Sequence, residues 1–180
     1  MSVTIRDVRK EDGKAMVAAN IASRALHTPW VEPFQDIAGF RTWFDGIAGG
    51  RRRSFIIEEG ALLAGVINLN EIVRGPFLSA YLGYYAWVGG GRGVMTAGLR
   101  LVIAEAFGPM GLHRLEANIQ PSNTPSIALA RRLGFRLEGF SPRYLKIAGD
   151  WRDHERWALL ADDDARSPAQ AETGAGLKEG

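Results

Sequence analysis

The sequence predicts a mixed α/β fold, in which helices cover the faces of one β-sheet. Apolar and polar residues alternate with the period of a strand at residues 3–8 and 114–119, whereas apolar residues recur with helical spacing after Asp36 and after Gly93. The predicted order is one strand, two helices, three strands, a helix, a strand, a short helix and further strands. The chain has 180 residues, 46% of them apolar, which suits one domain with a sizeable core and excludes disorder of the whole chain.

The N-terminal third predicts a strand followed by two helices. Residues 3–8 form the strand, and the Ala- and Met-rich residues 11–25 form the first helix. A loop with aromatic content covers 28–33. Asp36 can cap the second helix, which ends at residues 49–50, a pair of glycines. The apolar residues of this helix share one face: Ile37, Phe40, Phe44 and Ile47.

The middle of the chain predicts three strands, a glycine-rich loop and a helix. Residues 54–58 and 62–69 are two strands joined at Glu59-Gly60, a hairpin signal. Residues 78–88 are a third strand rich in aromatic residues, and the loop Gly-Gly-Gly-Arg-Gly follows it at 89–93. The next helix, which ends at the glycine and proline of 108–109, has an apolar face formed by Met95, Leu99, Val102, Ile103, Ala106 and Phe107.

The C-terminal part predicts one more helix between strands. Residues 114–119 alternate as a half-buried strand. Pro125 suits the first position of a short helix, and Gly134 suits its C-terminal cap. The closing strands are predicted at 135–138, 144–147 and 151–160.

Charge is distributed unevenly along the chain. Residues 162–180 carry five acidic and two basic residues, and the rest of the chain has a net charge of +5. We expect a domain over residues 1–161 and an acidic, disordered tail over 162–180. The N-terminus has no apolar signal-peptide core, and no stretch suits a membrane span. We therefore expect a cytoplasmic protein with no membrane contact.

The glycine loop at 89–93 predicts an anion site. Free backbone N–H groups in such a loop, together with the positive end of the following helix, favour a phosphate. A tight strand-to-helix connection explains the glycines equally well. No Lys-Ser or Lys-Thr pair follows the loop, and the dinucleotide spacing is a poor match, so a nucleotide site is disfavoured.

Several stretches together resemble a known family. Residues 114–126 read RLEANIQPSNTPS, and 131–135 read RRLGF; 143–154 read RYLKIAGDWRDH, and 68–77 read NLNEIVRGPF. With the glycine loop, they resemble the GNAT superfamily of acyl-CoA N-acyltransferases, in its RimJ/RimL-type branch, over about residues 3–161. The resemblance implies the GNAT fold, with a central, mostly antiparallel twisted sheet and helices on both faces.

The resemblance also implies acetyl-CoA as co-substrate. Residues 90–95 correspond to the pyrophosphate motif Q/R-x-x-G-x-G/A, with Gly90 and Met95 as departures from it. The last strand residues before the loop would pair with the pantetheine arm as an added strand. The implied cofactor-binding residues are Trp87, Val88, Gly91, Arg92, Gly93, Val94, Met95, Thr96, Asn123 and Ser126.

The implied reaction is a direct attack of a neutral amine on a thioester carbonyl, which needs a base and an oxyanion donor. The absence of Cys excludes a Cys acyl-enzyme. We expect Glu71 as base, with Glu116 and His154 as rivals. Ser126 is the candidate near the sulfur, because Ala130 stands where many family members carry a Tyr as general acid. Asn123 can bind the pantetheine or a water molecule.

Three functions remain open from the sequence. The best-supported acceptor is the N-terminal α-amine of a protein, with a ribosomal protein and ribosome association implied by the family. A small amine is the alternative acceptor, and a non-catalytic CoA- or RNA-binding module is the third reading. No metal-site spacing is visible, and the family includes monomers and homodimers. The candidate residues for an acceptor groove, at least half of which we expect in the core instead, are Trp30, Phe34, Phe77, Tyr81, Tyr144 and Trp151.

Overall fold

The computed structural model describes residues 2–89 and 93–165. In these residues one seven-stranded sheet forms the centre of the molecule, with the strand order β1-β2-β3-β4-β5-β7-β6. All neighbouring strands are antiparallel except β4 and β5. The strands are β1 (Val3–Asp7), β2 (Arg53–Glu59), β3 (Leu62–Val73), β4 (Ser79–Ala86), β5 (Arg114–Ile119), β6 (Arg136–Ile147) and β7 (Asp150–Leu160).

Helices cover both faces of this sheet, as predicted. Neighbouring residues of β2 point to opposite faces: Phe55 joins the core beneath α4 and α5, whereas Ile56 joins the core with Met16 of α1 and Phe40 of α3. The helices are α1 (Gly13–Ala22), α2 (Arg24–His27), α3 (Ile37–Asp45), α4 (Val94–Phe107), α5 (Thr124–Arg132) and α6 (Ala161–Ala165), and a 3₁₀ turn at Lys10–Asp12 precedes α1.

The parallel pair β4 and β5 stays together for a short distance. Pairing joins Ser79 to Arg114, Ala80 to Leu115 and Tyr81 to Glu116. Beyond Tyr81, β4 continues beside β3, while β5 continues beside β7. The two strands therefore separate, and a gap opens in the sheet toward the C-terminal end of β4.

The sequence predicted one continuous helix over residues 11–25, and this prediction is wrong. The structure divides it into a 3₁₀ turn, α1 and α2, with the break at Ser23. The Ser23 hydroxyl donates to the carbonyl of Ala19 at 2.6 Å. Such a local hydrogen bond weakens or bends a helix, and the break between α1 and α2 lies at this residue.

Three predicted strands also differ from the structure. The strand predicted at 62–69 runs to Val73, with an irregularity between Asn70 and Val73 and a positive φ of 46° at Glu71. The strands predicted at 135–138 and 144–147 are one strand, β6, which changes register between Ser141 and Leu145. Asn70 and Glu71 also bind arginines: the Arg52 side chain donates to Asn70 at 2.9 Å, and Arg51 pairs with Glu71.

The C-terminal end of the described chain forms α6, which follows β7 directly. Arg136 pairs with Asp163 of this helix at 2.8 Å. The first residues of the predicted tail therefore contact the sheet, and residues 166–180 lie outside the described residues.

Candidate active site

A cavity of about 460 Å³ lies where β4 and β5 have separated. Four parts of the chain form its walls: the end of β4, the first turn of α4, α5, and α2 with the loop after it. The described residues that line it are Leu26, His27, Trp30, Val31, Tyr84, Tyr85, Ala86, Val88, Gly89, Gly93, Val94, Met95, Thr96, Asn123, Pro125, Ser126, Leu129 and Arg132.

The wall formed by β4 offers backbone groups to this cavity. The N–H of Trp87 donates to the carbonyl of Ala64 at 2.8 Å, so the backbone of Trp87 is paired with the β3 side. Because the direction of backbone groups alternates along a strand, those of Ala86, the last residue of β4, face the opposite side, where the gap lies, and Val88 follows it in the cavity lining. The end of β4 is therefore an exposed strand edge inside the cavity.

Trp87 itself lies outside the cavity lining. Its side chain is buried in the core on the α1 and α3 face, and its indole N–H donates to Asn20 at 2.6 Å. Of the two strand residues predicted to bind the cofactor, the structure brings Val88 to the cavity and directs Trp87 into the core.

The wall formed by α4 is the start of that helix. Gly93, with φ of 72°, is the N-cap, and the residues after it begin the first turn, whose N–H groups have no acceptor within the helix. The guanidinium of Arg132 donates to the hydroxyl of Thr96 at 3.4 Å. A helix N-terminus and a cation therefore lie together at this wall, which favours an anion. Gly91 and Arg92, also predicted to bind the cofactor, lie outside the described residues.

The wall formed by α5 begins at Asn123. Its side-chain oxygen accepts from the N–H of Ser126 at 3.2 Å, which caps the helix, and Pro125 stands in the first turn. The Tyr84 hydroxyl approaches the carbonyl of Ser126 at 3.5 Å. Burial raises the pKa of Tyr84, and the contact with Ser126 opposes this only in part, so the phenol keeps its proton at neutral pH.

The fourth wall contains His27, whose side chain is 3% exposed. Its Nε2 lies 2.9 Å from the carbonyl oxygen of Ala86 and 3.3 Å from the Ser23 hydroxyl. The ring packs edge-on against Tyr85, with 5.0 Å between the centroids. Burial raises the pKa of Tyr85, an effect that Asn20 opposes. His27 thus ties α2 to the exposed edge of β4.

The three candidates for the base lie elsewhere. Glu71 pairs with Arg51 at the surface, and Glu116 pairs with Arg114 at 2.8 Å. His154 is a buried residue of β7, and its Nδ1 lies 2.9 Å from the carbonyl oxygen of Arg152. None of the three lines the cavity formed by the described residues.

The predicted groove aromatics are similarly dispersed. Trp30 lines the cavity, whereas Phe34 packs against Phe40 in the core. Tyr81 lies outside the cavity, and its contact with the Tyr144 hydroxyl, followed by burial, raises the pKa of the Tyr81 phenol. The two remaining aromatics are on the surface, Phe77 71% and Trp151 60% exposed.

Sequence reasoning missed four polar side chains of the described cavity. They are Tyr84, Tyr85, His27 and Arg132. The two tyrosines stand in the strand before the glycine loop, so their position beside that loop was a usable signal. His27 and Arg132 approach from helices distant in sequence, and no local pattern marks them.

The cavity fits a long ligand that carries phosphate at one end and amides along an extended arm. The exposed edge of β4 can pair with such amides, as an added strand does. The start of α4 with Arg132 can hold phosphate. Those are the chemical features of acetyl-CoA, and the residues present are therefore suited to it.

The chain belongs to the acetyltransferase (GNAT) domain family, whose model matches residues 2–136. It is 40% identical over 104 residues to the [ribosomal protein uS5]-alanine N-acetyltransferase of Escherichia coli strain K12, covering 56% of this chain and 53% of that protein. It is 39% identical over 103 residues to the probable N-acetyltransferase YjcK of Bacillus subtilis strain 168, covering 57% of each. The matches span just over half the length of these curated relatives.

Solved structures share the fold. Mycobacterium smegmatis RimJ in complex with CoA-disulfide superposes with a TM-score of 0.84 at 31% identity, over 97% of this chain and 89% of that one. The spermidine N-acetyltransferase of Vibrio cholerae, in complex with CoA and spermine, has a TM-score of 0.78 at 21% identity, over 91% and 98% of the two chains. These likenesses agree with the predicted fold.

Two features are absent from the described residues. Within residues 2–89 and 93–165, no helix is long and apolar enough to cross a membrane. In the same part of the chain, no group of three or more His, Cys, Asp or Glu side chains is placed to hold a metal ion.

Proposed function

We propose that the protein is an acetyl-CoA-dependent N-acetyltransferase that moves an acetyl group directly to an amine. The observation that carries this proposal is the separation of β4 from β5 after Tyr81, with a cavity bounded by a strand edge and two helix N-termini. Membership of the acetyltransferase family supports the same reaction. The bound co-substrate would supply the activated acetyl group, and the chain supplies orientation and charge.

Three of the cavity walls have distinct roles in the proposed reaction. The carbonyl of Val88 pairs with the pantetheine arm, and the N–H of Val88 stabilises negative charge on the acetyl carbonyl oxygen. The start of α4, with Gly93, Val94, Met95 and Thr96, holds phosphate.

At the α5 wall, Ser126 donates a hydrogen bond toward the sulfur. Asn123 fixes the start of α5 and, through it, the position of Ser126. The roles that we predicted for Gly91 and Arg92 at the phosphates stay predictions.

The acceptor that we favour is the N-terminal α-amine of a protein, such as a ribosomal protein. Two similarities support it: the 40% identical alanine N-acetyltransferase, and the RimJ structure that is 31% identical over nearly the whole chain. A small amine, such as a polyamine or an amino acid, is the alternative. The spermidine enzyme shares the fold, but its identity is too low to support the substrate.

A competition between acceptors tests the assignment. The purified protein is incubated with acetyl-CoA and either N-terminal peptides or free amines, and release of CoA is followed. The proposal predicts faster release with peptides, and a gain in kcat/KM as the peptide lengthens. Equal rates with free amino acids and long peptides would favour the small-amine acceptor.

We infer the cellular location of the protein from the proposed acceptor. We expect a cytoplasmic protein, a monomer or homodimer, that meets its substrate at or near the ribosome.

We also propose residues 1–161 as the catalytic domain and 162–180 as an acidic tail outside it. Removal of residues 166–180 should leave acetyl-CoA turnover unchanged, whereas a loss of turnover would assign the tail to the active site.

A further inference from the structure

We propose that the side chain of Tyr84 closes the inner end of the cavity, the end nearest to Tyr81, and restricts the acyl donor to a short acyl group such as acetyl. This inference rests on the proposed acetyl transfer, and it concerns the group that is transferred. Three observations carry it: the order of the cavity walls along β4, the contact of the Tyr84 phenol with α5, and the position of β5 outside the described cavity lining.

The order of the lining residues gives the direction of a bound ligand. Gly93, at the proposed phosphate end, caps α4, and Val88 precedes it in the chain. Ala86 and Tyr84 lie further back on β4, toward Tyr81, where the strand leaves β5. A ligand whose phosphates lie at α4 and whose arm follows the edge of β4 therefore extends its far end toward Tyr84.

The Tyr84 side chain crosses from β4 to α5. It packs against the core cluster on the α4 and α5 face of the sheet. Its hydroxyl lies 3.5 Å from the carbonyl oxygen of Ser126, in the first turn of α5. Ser126 is also the residue proposed to donate toward the sulfur, so an acyl group bonded to that sulfur would lie beside the same phenol.

The strand β5 forms the other side of the gap, but none of its residues lines the described cavity. Beyond the split, Ala117 and Ile119 point to the α4 and α5 face, with 2% and 5% of their surfaces exposed. Both belong to the cluster against which Tyr84 packs. Among the lining residues of β4, Tyr84 is the nearest to the split. The cavity therefore ends before β5, and Tyr84 lies at that end.

The Tyr84 ring leaves little room for a longer acyl group. An acetyl group ends in one methyl group, whereas each further methylene group needs new volume at the inner end. The ring is fixed to β4 at its base and contacts α5 through its hydroxyl, so a displaced ring would lose that contact. Protein interiors are close-packed, and adding methylene groups to a filled space is destabilising. The ring thus sets the length of the acyl group that fits.

Calorimetric titration with a series of acyl-CoA esters, in the absence of an amine, tests the proposal by binding alone. For the wild-type protein we expect the Kd to rise about tenfold or more from acetyl-CoA to hexanoyl-CoA, with butyryl-CoA between them. In Tyr84→Leu, which removes the ring, this difference should disappear. Values of kcat/KM for the three esters with an N-terminal peptide should follow the same order.

Two control variants separate the ring from other effects. Tyr84→Phe keeps the ring and loses only the hydroxyl, so it should keep the wild-type preference for acetyl-CoA. Tyr81→Leu makes the same change on the same strand but outside the cavity. Its neighbours Ala80 and Leu82 point to the α4 and α5 face, so Tyr81 points to the opposite one. It should also keep the wild-type ratio of Kd values.

The possible results have separate meanings. A wild-type protein that binds no CoA ester would contradict the proposed function itself. Equal Kd values of the wild type for acetyl-CoA and hexanoyl-CoA would overturn the role of Tyr84 alone. A Tyr84→Leu protein with the wild-type ratio of Kd values, or with the same loss of affinity for all three esters, would overturn it as well.

Thermal unfolding of the wild-type protein covers a variant that fails to fold. A ligand that binds the folded state raises Tm more when its concentration is a larger multiple of its Kd. At equal concentrations, acetyl-CoA should therefore raise Tm more than hexanoyl-CoA does. An equal or larger increase with hexanoyl-CoA would overturn the proposal.

Discussion

Tyr81 and Glu116 are the last residues at which β4 and β5 pair. After them β4 has β3 as its neighbour, and β5 has β7. A parallel pair that separates in this way leaves one strand edge unpaired in the middle of a sheet, where an unsatisfied backbone is costly. The cavity beside that edge is accordingly the place where an extended ligand would complete the sheet.

Substitution of Ser126 by Ala should lower kcat about tenfold or more, the effect of losing one hydrogen bond to a charged group. The proposed role lies in the transfer step, so the Kd for acetyl-CoA should change little. Steady-state kinetics and calorimetry on the same preparation check this. A loss in affinity as large as the loss in kcat would assign Ser126 to ground-state binding.

Substitution of Gly93 by Val should weaken CoA binding about tenfold, because a β-branched residue at φ of 72° is strained by about 1–3 kcal/mol and would displace the start of α4. Gly60→Val is the matched control: Gly60 has φ of 63° in the β2–β3 turn, and both glycines have open space around them. The control should lower Tm without changing the Kd. If the two variants have the same Kd for CoA, the N-terminus of α4 does not bind its phosphate groups.

Substitution of Asn123 by Ala should lower the free energy of unfolding by about 1 kcal/mol, since it removes the N-cap of α5. Asn123→Ser retains a capping oxygen and should keep most of that stability. Urea unfolding of the three proteins measures the difference. If the Ala and Ser variants are equally destabilised, the cap contributes nothing and Asn123 acts in another way.

His154 should make folding stability depend on pH. Burial lowers the pKa of His154 below its ordinary value of 6.5, although its hydrogen bond to Arg152 and the charge of Asp153 oppose this. The folded state therefore binds fewer protons than the unfolded chain, and stability is lost as pH falls through 6.5 toward the folded pKa. The unfolding free energy of the wild type should fall more steeply between pH 7 and 5 than that of His154→Gln. Parallel curves would contradict the assignment.

Sequence patterns correctly predicted the helices and strands that are determined by residues close together in the sequence. Asp36 was predicted as a cap, and its carboxylate accepts from the N–H of Gly39 at 2.6 Å. The alternation at 114–119 became β5, whose residues alternate between buried and half-buried. The break at Ser23 was missed, because a single serine in a run rich in Ala and Met is not a helix stop signal.

The active-site geometry was less predictable, because its contacts join distant parts of the chain. Gly89 and Gly93, at the two ends of the glycine loop, and the start of α5 line the cavity, as the sequence motifs indicated. His27 was not predicted, since its position in the cavity wall depends on a hydrogen bond to Ala86, 59 residues further along the chain. Glu71 was favoured from a loose alignment, but an irregularity in β3 and the pairing with Arg51 keep it at the surface.

The central claim is that the gap after Tyr81 binds acetyl-CoA, and calorimetric titration of the purified protein tests it most directly. The account predicts binding of both acetyl-CoA and CoA with Kd values in the micromolar range, weakened by Gly93→Val and unaffected by Gly60→Val. An absence of binding at millimolar ligand would contradict the enzyme assignment, and would favour a protein or RNA partner for this fold.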